Sequence, residues 1–196
     1  RPTYYMVEDD LVFKQNFETI DALDGMVKLF PHYAQQWGKT IKNGTYFSVN
    51  YHPVDDPKFP LFSDDPLDHG LGWGSTVLYT MVEFAIYFGC KEIYLLGVDF
   101  NFTVPNETLL NAQEGRIDLI CEGEVNHFHP EYRKVGERWN LPNLEHQYKS
   151  FSKAKEWCDT HNIKVYNLSR QTCLDVFEKK NFDDIVAQGR SIKDMA

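Results

Sequence analysis

With 196 residues, 42% of them apolar and 25% charged, the chain is long enough for one domain with a real core, and its composition excludes disordered, fibrous and membrane-spanning classes. A net charge of -9 and a pI near 5.2 argue against a nucleic-acid partner, whose phosphates demand clustered Lys and Arg, but allow a single nucleotide held by a few local donors. The richest apolar stretch, 77–89, contains Glu83 and is too short to cross a bilayer, so a buried helix and no membrane span are expected.

In chain order, β-rich runs at 3–7, 26–30, 45–50, 92–98 and 164–167 predict five strands. Helical periodicity between several of them predicts one mainly parallel sheet with helices on both faces, in a single domain over 1–187. The clearest unit is a helix over 75–88, a stop at Gly89 and a strand over 91–99 so apolar that burial on both faces is expected. Two stretches, 51–74 and 100–142, show no regular pattern. Loops of that length in a compact domain are usually functional, and both border the carboxyl edge of the sheet, where ligands of open α/β folds gather. Over 143–160 the apolar residues Leu144, Tyr148, Phe151, Ala154 and Cys158 fall on one helix face, and Asn162 takes the left-handed position that ends the helix. Residues 188–196 read as a frayed tail.

Cys90, Cys121, Cys158 and Cys173 are far apart and form no CxxC pair, which predicts reduced, structural thiols. The chain opens on Arg1 without a signal segment, so a processing boundary is expected there. Glycosylation triplets begin at Asn43, Asn101, Asn106 and Asn167. They hint at secretion, but Asn101 and Asn167 stand at the ends of predicted buried strands where a glycan does not fit. The balance favours a cytoplasmic location.

Several clusters can carry chemistry. The run Gly70-Leu-Gly72-Trp-Gly74-Ser75-Thr76 leads into the apolar helix, and glycines, hydroxyls and free helix-start amides suit phosphate or carboxylate. The alternative is a turn with Ser75 capping the helix, since no strand precedes it directly and no Walker lysine is present. Asp99, at the end of the 91–99 strand, can accept from a sugar or ribose hydroxyl, orient a catalytic partner, or cap loop amides. His127 and His129, in Asn126-His-Phe-His-Pro-Glu-Tyr132, offer a general base; as a metal pair they lack a third ligand, and a surface role is the alternative. Asp64, Asp65, Asp68 and His69 can ligate a cation or simply be solvated. Glu83, inside an apolar helix, calls for a structural partner.

The segment Gly89-Cys-Lys-Glu-Ile-Tyr-Leu-Leu-Gly-Val-Asp-Phe100, with the apolar helix before it, resembles the bacterial α-2,3-sialyltransferase core. It is still more similar to the 6-hydroxymethylpterin diphosphokinase MptE-like family, and the resemblance extends through Asn126-His127-Phe128 to Ile163-Lys-Val-Tyr-Asn167. It implies a Rossmann-like α/β fold whose first strand and phosphate loop lie upstream of Arg1; separately, a homo-oligomer or a larger parent chain is the assembly expected. The implied activity is that of a nucleotide-sugar-dependent, inverting glycosyltransferase acting on a small-molecule or glycan acceptor. No metal or other cofactor is implied, and a histidine serves as base. His127 and His129 compete for that role, with His146 third. Gly72, Gly74, Ser75, Thr76 and Asn101 would hold the donor. Two positions depart from the sialyltransferases: Asn101 stands where they carry Tyr, and Gly74 stands about where they carry Arg. The resemblance also implies an alternative, Mg²⁺-dependent pyrophosphate transfer from ATP to 6-hydroxymethylpterin. A noncatalytic nucleotide-binding module of a larger protein is the third reading.

Overall fold

The structure, a computed structural model, describes residues 1–103, 108–113, 116–127 and 129–193, with the backbone alone for 108–113, 116 and 190–193. It is a mixed α/β fold. Strand β1 (Tyr4–Met6) is followed by two short helices, α1 (Asp10–Gln15) and α2 (Phe17–Ala22), then β2 (Val27–Pro31), a 3-10 helix (His32–Trp37) and β3 (Gly44–Phe47). These strands form a parallel sheet in the order β1-β2-β3, with Met6 opposite Leu29 and Leu29 opposite Thr45. Just beyond β3, β4 (Val49–Asn50) pairs in parallel with β5 (Leu71–Gly72). Helix α3 (Val77–Tyr87) leads to β6 (Glu92–Leu95), and helix α4 (Leu144–Thr160) leads to β10 (Lys164–Asn167). With β11 (Glu178–Lys179), they form a second parallel sheet in the order β11-β10-β6. Helix α5 (Phe182–Lys193) follows.

Local chemistry sets the helix ends. Asp9 Oδ1 accepts the N–H of Val12 at 2.9 Å to start α1, Thr76 caps α3, and Asn143 Oδ1 accepts the N–H of His146 at 3.0 Å to start α4. Asn162 takes the predicted left-handed turn, at φ 55°, because its short polar side chain tolerates that conformation.

The apolar side chains form layers. On one face of the first sheet Val7 and Phe30 meet Phe13, Ile20, Ala34 and Ile41; on the other, Leu29, Phe47 and Leu71 meet Phe84 of α3. The opposite side of α3, through Tyr79, Val82 and Ile86, joins Phe151, Ala154 and Cys158 of α4 over Leu95 and Val165 of the second sheet. Helix α3 therefore underlies both sheets.

All five predicted strands and both predicted helices form, yet the strands do not make one sheet. Among the described residues there are three small parallel sheets and one antiparallel sheet. The 91–99 strand is not buried on both faces: Tyr94 on β6 is 39% exposed, and Leu96 just beyond it is 62% exposed. The 100–142 stretch is not irregular throughout: β7 (Thr108–Gln113), β8 (Arg116–Ile120) and β9 (Arg138–Asn140) form an antiparallel sheet around Leu119, Cys121 and Trp139. The supposed tail belongs largely to α5, which runs to Lys193. Asn101 is exposed beyond the end of β6, contrary to expectation, whereas Asn167 is fully buried and bonded to Thr172 and Ser169. Asn106 and Phe128 lie outside the described residues. The cysteines are free thiols; Cys121 and Cys158 are buried, and burial pushes the Cys158 thiol up to about 11. No helix among the described residues is long and apolar enough to cross a membrane.

Candidate functional site

The glycine turn is built around packing contacts. Strand β5 enters it directly, which the sequence did not suggest. A Cβ at Gly72 would lie 1.8 Å from the Leu61 carbonyl oxygen, and one at Gly74 would lie 2.3 Å from Cγ of Tyr79. Both positions therefore need glycine for internal fit, and the Gly72 amide is engaged by Glu83 at 3.0 Å. Ser75 sits at φ 60° with its hydroxyl buried and unpartnered, and its carbonyl accepts the side-chain N–H of Gln147 at 3.0 Å. Thr76, not Ser75, caps α3, its hydroxyl accepting the N–H of Leu78 at 3.4 Å.

Glu83 has the structural partners expected of it, accepting the N–H groups of Ser63 and Gly72 with one oxygen. Burial raises its carboxyl well above the ordinary value, and the two N–H groups only partly offset that. Glu8, just past β1, is raised to about 7 chiefly by burial, with a smaller opposing contribution from the nearby Thr80 hydroxyl.

Asp99 lies in the loop past β6, where its side chain is exposed. The backbone of that loop is fixed from β10: Ser169 Oγ accepts the N–H of Val98 at 2.7 Å, Thr172 donates to the Val98 carbonyl at 2.7 Å, and Cys173 N–H donates to the Asp99 carbonyl at 2.8 Å. Phe100, at φ 53°, packs against Tyr148 and Phe151 of α4. Gln147, beside Tyr148, holds Ser75. The start of α4 thus ties the glycine turn to the Asp99 loop. His146 belongs to this region as well: its ring meets Phe59 at 6.0 Å, and Trp73 stands between Phe59 and Tyr51.

His127 hangs from the same loop through a clasp in which Asn126 accepts from the N–H of Thr103 at 2.7 Å and donates to its carbonyl at 2.9 Å. Its ring stacks on Tyr132, with centroids 3.8 Å apart, and meets Phe102 edge-on. Nδ1 lies 3.1 Å from Oε1 of Glu124, whose side chain is fully shielded from solvent. The alignment falls short of a good hydrogen bond, so the contact is chiefly electrostatic. Burial alone would raise the Glu124 carboxyl; the contact with His127, the N–H of Asn126 and the His127 and Arg133 charges outweigh it and hold the group below its ordinary value. Glu124 therefore remains an anion beside the imidazole. His129 is exposed, and its Nδ1 accepts the N–H of Glu131 at 3.2 Å. Glu124, Arg133 and Tyr132 were not singled out from sequence. The spacing of Glu124 and His127 was the visible signal, since an i, i+3 pair can meet across a turn.

The Asp64–His69 region forms a tight turn. Asp65 accepts the N–H groups of Leu67 and Asp68, both at 3.0 Å, and meets Nδ1 of His69 at 2.8 Å. Among the described residues, no group of three His, Cys, Asp or Glu side chains is placed to hold a metal ion. No family model, no curated protein and no solved structure matches the chain.

Proposed function

We propose that the protein is a nucleotide-sugar-dependent glycosyltransferase of sialyltransferase-like type, built on a Rossmann-like domain and inverting at the transferred carbon. The carrying observation is the pairing of His127 with the shielded Glu124 carboxylate at 3.1 Å. A carboxylate beside Nδ1 favours the tautomer with the proton on Nδ1, leaving a lone pair on Nε2 for an acceptor hydroxyl. In the step, the acceptor oxygen forms the new glycosidic bond, its proton passes to Nε2 of His127, and the nucleotide phosphate departs with the electrons of the old bond. The imidazolium so formed is stabilised by Glu124. Ser75 and Thr76 lie where a donor's anionic part would meet the start of α3, and Asp99 and Asn101 lie on the loop from which His127 is suspended.

The test is turnover by the full-length protein with CMP-, UDP- and GDP-sugars, with and without Mg²⁺. His127→Ala should lower turnover about 10²- to 10⁴-fold while donor affinity changes little, because proton transfer matters only in the transition state. Normal turnover in that variant would sink the reading. Turnover confined to ATP, a hydroxymethylpterin and Mg²⁺ would replace it with pyrophosphate transfer, and nucleotide binding without turnover would replace it with a noncatalytic module.

A further inference from the structure

Beside the glycine turn lies a group of rings that the core does not use. Parallel pairing of β4 with β5 sets Asn50 opposite Gly72, and the next residues in that register, Tyr51 and Trp73, meet with ring centroids 5.0 Å apart at an angle of 49°. The backbone on both sides of Trp73 is fixed, by the bond from the Gly72 N–H to Glu83 and by the close packing of Gly74 on Tyr79. Two successive turns, from the Asp56 N–H to the Pro53 carbonyl and from the Phe59 N–H to the Asp56 carbonyl, both at 2.9 Å, bring Phe59 back to Trp73 with centroids 5.9 Å apart. His146 meets Phe59 in turn, and Gln147 next to it holds the Ser75 carbonyl, so the rings adjoin the Ser75 site.

Trp37, Trp139 and Trp157 each pack on an apolar cluster of the core, whereas among the described residues Trp73, Tyr51 and Phe59 join none of those clusters. Tyr51 is 57% exposed, and Trp73 and Phe59 are half-buried. Fixed rings gathered at the surface beside a polar loop make a ligand surface. Their geometry and surroundings select the ligand. A flat base held between two rings needs them about 7 Å apart, twice the contact distance of about 3.5 Å, and Tyr51 and Trp73 leave no such slot. Tilted rings offer a stepped surface that suits a puckered ring, whose apolar C–H groups meet the negative aromatic faces. The 51–74 segment carries five aspartates against one lysine, which disfavours an anion. Between Tyr51 and Phe59, His52 Nδ1 lies 3.0 Å from Asp56 Oδ2, and the Lys58 N–H and His52 hold the Asp56 carboxyl below its ordinary value, so an acceptor suited to hydroxyl groups stands in the same segment.

We propose that Tyr51, Trp73 and Phe59 form a stacking shelf for the pyranose ring of a neutral carbohydrate. Its part in glycosyl transfer rests on the transferase reading; the binding itself does not.

The experiment is a titration of the full-length protein, without nucleotide, with methyl β-galactopyranoside, methyl β-glucopyranoside and N-acetylglucosamine, followed by tryptophan fluorescence and saturation-transfer NMR. At least one should bind in the millimolar range, with saturation reaching chiefly the C–H protons of one ring face. Trp73→Ala and Tyr51→Ala should each weaken that binding about 10-fold or more. Tyr51 is exposed enough for its variant to keep the test decisive should Trp73→Ala not fold, and Tyr87→Ala, at the far end of α3, should change nothing. Absence of binding by all three sugars, or equal affinity in both shelf variants, would overturn the proposal. So would tighter, Trp73-dependent binding of cytidine, uridine or adenosine, which would mark a base platform, or of N-acetylneuraminic acid, which is charged. His127→Ala should leave sugar binding intact, so failure of the shelf and failure of the transferase reading are separate results. Loss of affinity for a nucleotide-sugar but not for its nucleotide in Trp73→Ala assigns the ring to the donor; no loss for either assigns it to the acceptor.

Discussion

Glu83, in the middle of α3, accepts the backbone N–H of Gly72, 11 residues back along the chain, at 3.0 Å, and the same oxygen accepts the N–H of Ser63 at 2.7 Å. One carboxyl oxygen thus fixes both ends of the segment that carries Asp64, Asp65 and His69. Glu83→Ala strands one buried and one partly buried donor and should cost about 3 kcal/mol. Glu83→Gln keeps an acceptor oxygen and should cost less than half as much. Urea unfolding of the two variants separates these values.

Stability should fall as pH rises from about 4.5 to about 7. Glu8 has an ordinary value of 4.5 and a folded value of about 7, so the folded state holds the proton more tightly. Its contribution is fully present below about 4.5 and is lost as pH passes through about 7. Glu83 shifts in the same direction. The difference between wild type and Glu8→Gln should therefore vary with pH by up to about 3 kcal/mol, read from melting curves between pH 4 and 8. A parallel pair of curves would show that Glu8 titrates normally.

Gly72→Ala and Gly74→Ala should each destabilise the protein by about 2 kcal/mol or more without any ligand present, because the added carbon meets backbone at Leu61 or the ring of Tyr79. Tyr79→Phe, which removes only the hydroxyl donating to the Leu61 carbonyl at 2.8 Å, should cost about 1 kcal/mol. Thermal denaturation of the three variants checks the order.

Within the histidine loop, Glu124→Gln should preserve the fold while lowering turnover about 10-fold or more, since a neutral amide stabilises an imidazolium poorly. His129→Ala should leave turnover within about 2-fold of wild type. Glu124→Ala should also loosen the loop, because the N–H groups of Asn126 and His127 both depend on that carboxylate. Steady-state kinetics beside melting temperatures distinguishes the three outcomes.

The strands and both long helices were legible because each carries its own local signal: apolar runs for β1, β2 and β10, and a regular apolar face with an Asn cap for α4. The short helices α1 and α2 were missed, as six residues are too few for periodicity to show. The antiparallel sheet was hidden because β8 and β9 are separated by 17 residues rich in turns, and their pairing is a tertiary choice. Strand β6 misled for a different reason. Its composition reads as doubly buried, but Tyr94 and Tyr166 stack on one face beneath the Lys180 ammonium. At the site, the position of Asp99 past a strand and the turn before α3 were readable. The role of Gly72 as a packing contact depended on Leu61, and the role of Glu124 depended on a loop fold that no local pattern encodes.

Asp9 uses its two oxygens on partners that become available at very different times. Oδ1 caps α1 at Val12, whereas Oδ2 accepts from the side-chain amide of Asn140, 131 residues further along. During synthesis at 5 to 20 residues per second, roughly 7 to 26 seconds separate the translation of the two residues. The first strand and helix can assemble early on the ribosome, but the carboxylate that starts the helix keeps one oxygen waiting until most of the chain has been made. Joining the antiparallel sheet to α1 is therefore a late event of folding.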